Sequence, residues 1–370
     1  MLKTTRKTVT LRDVAALAGI DKATASRALN GKGYMSVETR EAAVKAAQQL
    51  GYQPDLHAQR LAEGRNHKVI GLLPPNDLGV LTQQASFIEH RLDELEFEVQ
   101  IHNVPLYVSH FEERQTALVN KVRRQRPGAM IVGSPFVPAV LPELRLFQEE
   151  GGVVVGYGTE IDIGCDQVPF DDFHRSYIAT RHLLELGHRE IGFCFHGRIN
   201  QESVQRTGFL RALEEYGVAV QEKWLFAGGN YEEGGARLAE AFLTWPAKPT
   251  GLCIVNDVSA STFVTILARN GLHVPHDVSV VGFDDAPAAR YALVPLTTVS
   301  YPLDTIGRQV VEFTQSRLKG YDGPPRKVVA QSELITRSSS APLHSTRRST
   351  INRSAALRNP SVKGRKATTT

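Results

Sequence analysis

TLRDVAALAGIDKATASRALNGKG, residues 10–33, is the stretch that decides the fold of the N-terminal part of this chain. Apolar residues recur at helical spacing before Gly19, which provides a turn where a side chain would crowd the next helix. Asp21 stands at the N-cap position of that next helix. Two short helices joined at a glycine are the pattern of a helix-turn-helix, whose second helix enters the major groove of DNA.

The pattern predicts three short helices with small apolar residues on their inward faces. The first covers roughly residues 11–18, the second runs to about Asn30, and the third is capped by Ser36 and ended by Gly51. The residues that we expect to face inward are Leu11, Val14, Ala15 and Ala18, then Ala25, Ala28 and Leu29, and then Ala43, Val44, Ala47 and Leu50.

The outward face of the second helix carries Lys22, Ala23, Ser26 and Arg27. An arginine can bind a guanine edge through two hydrogen bonds, which is worth roughly 1–3 kcal/mol of discrimination, while an alanine methyl offers apolar contact to thymine. The hydroxyls of Ser26 and Thr24 suit phosphate oxygens. The alternative is a small helical bundle whose surface Lys and Arg residues bind nothing.

The next segment, GYQPDLHAQRL (residues 51–61), is weakly apolar and too short to form a stable helix alone, so a partner must order it. In a dimer over the centre of a palindromic site, Leu61 would enter the minor groove and wedge a base step. Leu61 could instead cap the core of the three-helix head.

The charge is distributed unevenly along the 370 residues, although the net charge is only +4. Residues 1–68 hold 12 Lys and Arg against 6 Asp and Glu, and residues 338–370 hold 7 basic residues and no acidic one, so the middle carries a net −9. Basic ends suit phosphate contacts and an acidic middle is repelled from DNA, although such charges are also found on ordinary solvated surfaces.

Composition indicates a small head followed by a larger body of two lobes, because the chain is too long for one ordinary core. The cysteines at 165, 194 and 253 have no metal-ligand spacing, and neither a signal sequence nor a long apolar run is present. We therefore expect a cytoplasmic protein with no metal and no cofactor.

The body alternates apolar strand-like runs with helical stretches, which predicts parallel sheets covered on both faces. Ligands of such folds bind beyond the carboxyl ends of the strands. Polar residues stand at those positions: Asn256 and Asp284 directly follow strand-like runs, and Gln205 and Arg206 lie in the helical segment QRTGF. An amide, a carboxylate and a guanidinium suit vicinal hydroxyl groups, although each polar residue could instead cap a helix. The predicted strands cover residues 69–73, 97–101, 129–132, 153–155, 191–195, 251–255 and 278–283.

Over about residues 8–340 the chain resembles the lactose-repressor (LacI/GalR) family of transcription regulators. The resemblance places Lys22, Ala23 and Arg27 at base-reading positions and Leu61 at the intercalating leucine of a hinge helix. Asp21 and Asp55 depart from the Ser and Asn that are usual in the family. The full predicted DNA-contacting set is Lys22, Ala23, Thr24, Ser26, Arg27, Asn30, Leu61 and Ala62.

The resemblance also implies the domain boundaries. A helix-turn-helix domain covers residues 8–54 and a hinge helix residues 55–66. A periplasmic-binding-protein-like body of two doubly wound lobes covers residues 67–340 and provides dimerisation, and a disordered basic tail covers residues 341–370. The chain crosses between lobes near residues 166, 297 and 327, so that lobe 1 holds about 67–166 and 298–326, and lobe 2 holds about 167–297 and 327–340.

The effector site implied by the resemblance lies between the lobes. Asn256 and Asp284 match the family's effector-binding Asn and Asp, while Gln205 stands where the family has Arg, with Arg206 one place later. Either that helix is slightly shifted, or a uronate- or phosphate-type anion is not the ligand. We expect Asp257 and Asp285 to cap a helix or brace their lobe. Tyr301 stands where the family commonly has Gln, and Tyr157 and Phe170 could stack on a sugar ring. The full predicted set is Tyr157, Phe170, Gln205, Arg206, Asn256, Asp284 and Tyr301.

These features predict an allosteric, sequence-specific transcriptional regulator, a repressor that binds a palindromic operator and responds to a small sugar-like effector. We expect a homodimer, because the tail has no leucine heptads of the kind that drive higher assembly. No nucleotide-binding loop or catalytic motif supports an enzyme. The alternatives are a sugar-binding protein of a transporter, or an architectural DNA-binding protein with an inert body.

Overall fold

The computed structural model describes residues 9–29, 35–52, 66–74, 79–103, 109–133, 138–158, 160–196, 204–228 and 231–343. Contacts divide the chain into two compact units, Met1–Asn66 and His67–Thr370. Among the described helices, none has the length and apolar character that a membrane crossing requires.

The head contains three helices with well-defined ends: α1 (Leu11–Ala18), α2 (Lys22–Leu29) and α3 (Val37–Leu50). Gly19 and Gly51 end α1 and α3 with φ of 67° and 62°, a left-handed backbone that glycine adopts without strain. Ser36 caps α3 by accepting a hydrogen bond from the Thr39 backbone N–H at 3.2 Å. The predicted caps are confirmed.

The head core is built mostly from alanines, which lets the three short helices approach closely. Val14, Ala15, Ala25, Ala28, Ala43, Ala46 and Ala47 are buried, with Ala18, Leu29 and Leu50 packed against them. The prediction that Val44 faces inward is wrong: its side chain is 40% exposed. Ala46 takes the inward position, since a helix turns 100° per residue and positions 43, 46, 47 and 50 share one face.

Lobe 1 contains a five-stranded sheet in the order β2-β1-β3-β4-β5. The pairs β1–β2, β3–β4 and β4–β5 are parallel, and β3 is buried along its whole length. The elements in chain order are β1 (Asn66–Leu73), α4 (Val80–Asp93), β2 (Glu98–Ile101), α5 (Phe111–Arg124), β3 (Pro127–Gly133), a 3₁₀ turn (Pro138–Val140), α6 (Leu141–Glu149), β4 (Val153–Gly158) and β5 (Asp166–Pro169).

Lobe 2 contains a six-stranded sheet in the order β11-β10-β9-β8-β6-β7, parallel except for the edge strand β11. Its elements are α7 (Asp172–Glu185), β6 (Ile191–Phe195), α8 (Val204–Glu215), a 3₁₀ turn (Glu222–Trp224), β7 (Leu225–Ala227), α9 (Tyr231–Thr244), β8 (Gly251–Ile254), α10 (Asp257–Arg269), β9 (Ser279–Asp284), α11 (Pro287–Tyr291), β10 (Thr297–Ser300) and β11 (Leu334–Ile335). The remaining helix, α12 (Leu303–Leu318), returns to pack on lobe 1.

The chain crosses between the lobes slightly later than the sequence suggested. The first crossing follows residue 170 rather than 166, because β5 pairs with β4 of lobe 1. The second follows Ser300 rather than 297, because β10 pairs with β9 of lobe 2. The third follows Ala330 rather than 327, since Ala330 still bridges to Phe170. In each case strand pairing continues for a few residues beyond the predicted boundary.

The C-terminal end of the body extends to Leu343, which corrects the predicted start of the tail at 341. The Ala341 carbonyl accepts a hydrogen bond from the His188 ring at 3.0 Å, and the Leu343 backbone N–H donates to Leu186 at 3.0 Å. Asn66, predicted to end the hinge helix, is instead the first residue of β1. The rest of the predicted hinge helix and the predicted contacts Asn30, Leu61 and Ala62 lie outside the described residues, as do residues 344–370.

Candidate DNA-reading helix and lobe-junction site

The N-terminus of α2 is held by Asp21, whose carboxylate accepts hydrogen bonds from the backbone N–H groups of Ala23 and Thr24, each at 2.9 Å. The Thr24 hydroxyl also donates to this carboxylate at 2.6 Å. These hydrogen bonds lower the pKa of Asp21, the side-chain bond from Thr24 most of all. Asp21, a departure from the family pattern, therefore serves as a helix cap.

The outer face of α2 is open to solvent. Lys22, Ala23 and Arg27 are exposed, while Thr24 and Ser26 are half-buried. The Arg27 guanidinium rests loosely against its own helix, 3.4 Å from the Ala23 carbonyl and 3.4 Å from the Thr24 hydroxyl. Because these local contacts are weak, the exposed Arg27 side chain is available to contact bases in a DNA groove.

A second group of residues lies where the chain crosses between the lobes, and we call it the junction cluster: Tyr157, Phe170, Arg175, Asp284 and Tyr301. Phe170 and Tyr301 stand directly at the first two crossings, and their rings meet edge to face with centroids 5.4 Å apart. Tyr157, near the end of β4, is buried in the same apolar core as Tyr301. Three predicted aromatic residues are thus brought together.

Arg175, in the first turn of α7, is the cation of this cluster, although only 6% of its surface is exposed. Its Nη2 donates to Asp284 Oδ1 at 2.7 Å and its Nη1 to Asp172 Oδ1 at 3.3 Å. The guanidinium carbon lies 5.4 Å from the Phe170 ring and 5.9 Å from the Tyr301 ring. Burial alone would lower the pKa of Arg175, but the two carboxylates outweigh it and raise the pKa.

Asp284 ends β9 with a backbone φ of 106°, a conformation that residues other than glycine rarely adopt and that costs of order 1–3 kcal/mol. Two contacts hold it there: the Tyr301 backbone N–H donates to its carbonyl at 3.1 Å, and Arg175 binds its carboxylate. The carboxylate is thereby fixed at the carboxyl end of a central strand, with 18% of its side chain exposed. Strained backbone of this kind is concentrated at functional sites.

Arg175 Nε and the Tyr301 hydroxyl are buried polar atoms of the cluster without a hydrogen-bond partner among the described residues. Burial raises the pKa of Tyr301 well above its usual value, so the phenol keeps its proton and can donate. Leaving a buried donor unsatisfied costs about 1–3 kcal/mol. Such groups at a junction between lobes are a place where a ligand gains affinity.

The predicted helix-capping alternative holds for Asn256, whose side chain accepts a hydrogen bond from the Ser259 backbone N–H at 2.8 Å at the start of α10. The predicted bracing roles of Asp257 and Asp285 are confirmed. Asp257 accepts from the Thr298 hydroxyl at 2.7 Å, and burial raises its pKa well above the usual value. Asp285 pairs with Arg290 and Arg337 on the lobe surface.

The predicted residues of α8 do not join the cluster through any contact within the described part of the chain. Arg206 donates to Glu222 at 2.6 Å, which directs its guanidinium towards the 3₁₀ turn of lobe 2. Gln205 is half-buried. The guanidinium that binds Asp284 comes from Arg175 on α7, and an effector contact of Arg206 stays a prediction.

The sequence signal that points to Arg175 is its position rather than its type. It follows β5 by six residues and lies in the first turn of α7, and the carboxyl ends of parallel strands and the following helix N-termini line the ligand edge of such sheets. Arg175 lies one helical turn beyond the strand end, where a pattern of polar residues directly after strands does not include it.

Comparisons with known proteins match both parts of the chain. The model described as bacterial regulatory proteins, lacI family, matches residues 10–55, and a periplasmic binding protein-like domain matches residues 180–340. The HTH-type transcriptional regulator GalS of Salmonella typhimurium is 32% identical over 316 residues, covering 82% of this chain and 88% of GalS. The chain belongs to the lacI family of bacterial regulatory proteins. This confirms the resemblance seen in its sequence.

Other relatives of this lacI-family protein include the HTH-type transcriptional repressor PurR of Haemophilus influenzae, 28% identical, with 85% of this chain and 92% of PurR covered. Among solved structures, a complex of the transcriptional regulator CelR with cellobiose has a TM-score of 0.64 and 25% identity, covering 90% of this chain and all of CelR. The lac repressor dimer bound to operator has a TM-score of 0.75 at 23% identity, with the same coverage, and shows the shared fold.

This lacI-family protein is thus a helix-turn-helix transcriptional regulator with a two-lobed body, as its sequence predicted. Its family is made of regulators and not enzymes. The two sites described above fit that division, since one lies on an exposed helix of the head and the other lies at the junction of the lobes.

Proposed function

We propose that the protein is a repressor that works as a homodimer on a palindromic operator, in the cytoplasm and on the nucleoid, and that a sugar-like effector bound at the junction cluster sets its affinity for DNA. The observation that carries the proposal is a buried, incompletely satisfied polar cluster at the crossings between two lobes, in a chain that also presents an exposed recognition helix in a separate unit.

On DNA, α2 would lie in the major groove with Arg27 and Lys22 towards base edges and Ala23 towards a thymine methyl. Thr24 and Ser26 would contact phosphates. Asn30, Leu61 and Ala62 complete the proposed contacts, with Leu61 of each protomer wedging the central base step. Relatives named as a repressor, PurR, and as a regulator in complex with cellobiose, CelR, support the repressor role and the sugar class.

At the junction, an effector would bring the lobes to a different angle, because Phe170 and Tyr301 belong to the crossing segments themselves. The strands of both lobes end near these residues, so a ligand held between Tyr157 of lobe 1 and Asp284 of lobe 2 would contact both. We also propose that Asn256 and Gln205 lie at the rim of this site. A coupling of about 1–3 kcal/mol changes operator affinity 5- to 150-fold.

The test begins with the full-length protein and a pool of random duplex oligonucleotides, from which bound sequences are selected and read. Fluorescence anisotropy on the selected operator is then measured with and without each of a panel of sugars and polyols. We expect a palindromic operator and at least one sugar that changes its dissociation constant by more than fivefold. Selection of no preferred sequence would contradict the repressor, and a selected operator insensitive to every sugar would contradict the effector class.

A further inference from the structure

The guanidinium of Arg175 is the feature of the junction that the proposed function leaves unexplained. A fully buried arginine is costly unless its donors are paired, yet Nε has no partner within the described part of the chain. Its Nη2 and Nη1 are already bound to Asp284 and Asp172. The unpaired Nε–H is therefore a donor held in a fixed position by the rest of the side chain.

The planar geometry of the guanidinium decides where a ligand atom must lie. The Nε–H and Nη2 lie on the same edge of the plane, and two parallel hydrogen bonds normally form along such an edge. Nη2 binds Asp284 at 2.7 Å and Nη1 binds Asp172, so an acceptor that reaches Nε lies on the Asp284 side of the guanidinium. The same atom, or its neighbour in the ligand, must then be able to donate a proton to that carboxylate.

The hydroxyl of Tyr301 adds a third polar group to this arrangement. It is buried without a partner among the described residues, and its ring lies 5.9 Å from the guanidinium carbon. The rings of Phe170 and Tyr301, which meet edge to face, add apolar surface to the cluster. The cluster thus combines one unpaired donor, Arg175 Nε, with the Asp284 carboxylate and the Tyr301 hydroxyl.

The charges around Arg175 restrict the ligand further. The single positive charge of Arg175 already faces the two negative charges of Asp284 and Asp172. An anionic ligand would therefore be repelled by a group of side chains whose net charge is negative. An added cation would meet the guanidinium at short range. An uncharged hydroxyl group suits both the Arg175 guanidinium and the Asp284 carboxylate, because it accepts a hydrogen bond from Nε and donates one to the carboxylate.

Resting on the proposed function, we propose that Arg175 is a specificity-determining residue of the effector site, which selects an uncharged ligand with adjacent hydroxyl groups and rejects anionic sugars. Nε donates to one hydroxyl, and Asp284 accepts from that hydroxyl or from its neighbour. Arg175 would thus take the place of the arginine that the sequence pattern expected on α8.

The first test uses the unmodified full-length protein and calorimetric titration with matched pairs of probes. The pairs are D-glucose with D-glucuronate, D-galactose with D-galacturonate, and D-ribose with ribose 5-phosphate, and cellobiose is a further neutral probe. We expect at least one neutral probe to bind tenfold or more tightly than its anionic counterpart. Tighter binding of the anion would overturn the inference and leave a sugar-controlled regulator standing.

The second test compares Arg175→Lys with Arg181→Lys, a matched change on the same helix, since Arg181 also pairs with a carboxylate and lies 5.8 Å from a tyrosine ring but is exposed. Lysine keeps the positive charge for Asp284 but has no Nε donor. We expect Arg175→Lys to weaken binding of the neutral probe at least tenfold while operator affinity and melting temperature stay near the wild type. Arg181→Lys should bind the neutral probe and the operator within twofold of the wild-type affinities, and its melting temperature should stay near that of the wild type.

Deoxy analogues of the bound sugar separate a contact from a structural effect. On the wild-type protein, we expect one deoxy analogue to bind at least tenfold more weakly than the parent sugar. On Arg175→Lys, the same analogue and the parent sugar should bind equally well, because the contact with the missing hydroxyl is already lost. If wild type and Arg175→Lys bind the parent sugar equally well, the role of Arg175 is overturned, while the proposed function stands. If wild type selects an operator but binds none of the neutral probes, the sugar effector is refuted and this inference with it.

Discussion

At the residue scale, the site shows what type and spacing predict and what they leave out. Asp284 was predicted from the sequence, because a polar residue directly after a buried strand lies at the ligand edge of a parallel sheet. Its partner Arg175 was not, because an arginine in a helix is ordinarily exposed, and only the folded chain brings together two residues 109 positions apart. Arg206, predicted from a motif position, binds Glu222 instead.

A buried ion pair at the start of β5 gives a prediction about stability and pH. The Asp166 carboxylate, fully buried, accepts hydrogen bonds from Arg317 and Arg326 at 2.8 and 2.6 Å. Burial acts to raise its pKa, but these hydrogen bonds outweigh it and lower the pKa to about 2. Asp166→Asn should therefore cost about 2 kcal/mol of unfolding free energy at pH 7.

This loss should shrink with acid in a defined direction. Since the pKa is lower in the folded chain than in the unfolded one, the stabilisation is present above about pH 4 and disappears as the pH falls towards 2. Urea unfolding of wild type and Asp166→Asn between pH 7 and pH 3 measures this, with Asp162→Asn, an exposed neighbour, as the control. A difference between wild type and Asp166→Asn that stays constant across this range would contradict the assignment.

The three cysteines give a second prediction at this scale. Cys165, Cys194 and Cys253 are buried and unpaired, and burial raises the pKa of each thiol to about 12. Because the thiolate is the reactive form, the native protein should not react with a disulfide reagent such as dithiobis(nitrobenzoate) at pH 8, while all three thiols should react in guanidinium. Rapid labelling of the native protein would show that one thiol is accessible.

At the element scale, long periodic segments were predicted well and short ones poorly. The caps and ends of α1, α2 and α3 follow from Asp21, Ser36 and the two glycines. The strands β5, β7 and β10 were not predicted, because they have three or four residues and lack a continuous apolar run. The late crossings between lobes follow from the same omission.

The cap of α2 should control the stability of the head. Asp21→Ala removes the acceptor of two backbone N–H groups at the helix N-terminus and should lower the melting temperature of the head. Asp21→Ser should restore most of this loss, because serine is also a favourable N-cap. Thermal melting followed by circular dichroism, together with operator affinity, measures the effect; equal stability of the Ala and Ser variants would argue against the cap.

Close packing of α7 on α8 depends on Gly208. A Cβ at this position would lie 2.2 Å from the Phe173 carbonyl oxygen, so Gly208→Ala forces the two helices apart. We expect a loss of about 1–3 kcal/mol of unfolding free energy, against almost none for Val204→Ala on the exposed side of the same helix. Urea unfolding distinguishes the two, and an unaffected Gly208→Ala variant would mean that the helices can separate without cost.

At the scale of the whole molecule, the chain divides into a head that presents α2 and a body whose lobes meet at the junction cluster. The family, the two-lobed fold and the regulatory role were all predicted from the sequence, because the helix-turn-helix pattern is specific and the strand rhythm of the body is regular. Arg175, the cation of the junction cluster, was not predicted and required the folded structure.

The most direct test of this division compares Arg27→Ala and Asp284→Ala in two assays, operator binding by anisotropy and effector binding by calorimetry. Arg27→Ala should lose operator selectivity while its affinity for the sugar effector stays within twofold of wild type. Asp284→Ala should bind the operator normally but lose the effector and its influence on DNA binding. Equal damage to both activities by both substitutions would contradict the separation of a DNA-reading head from an effector-sensing junction.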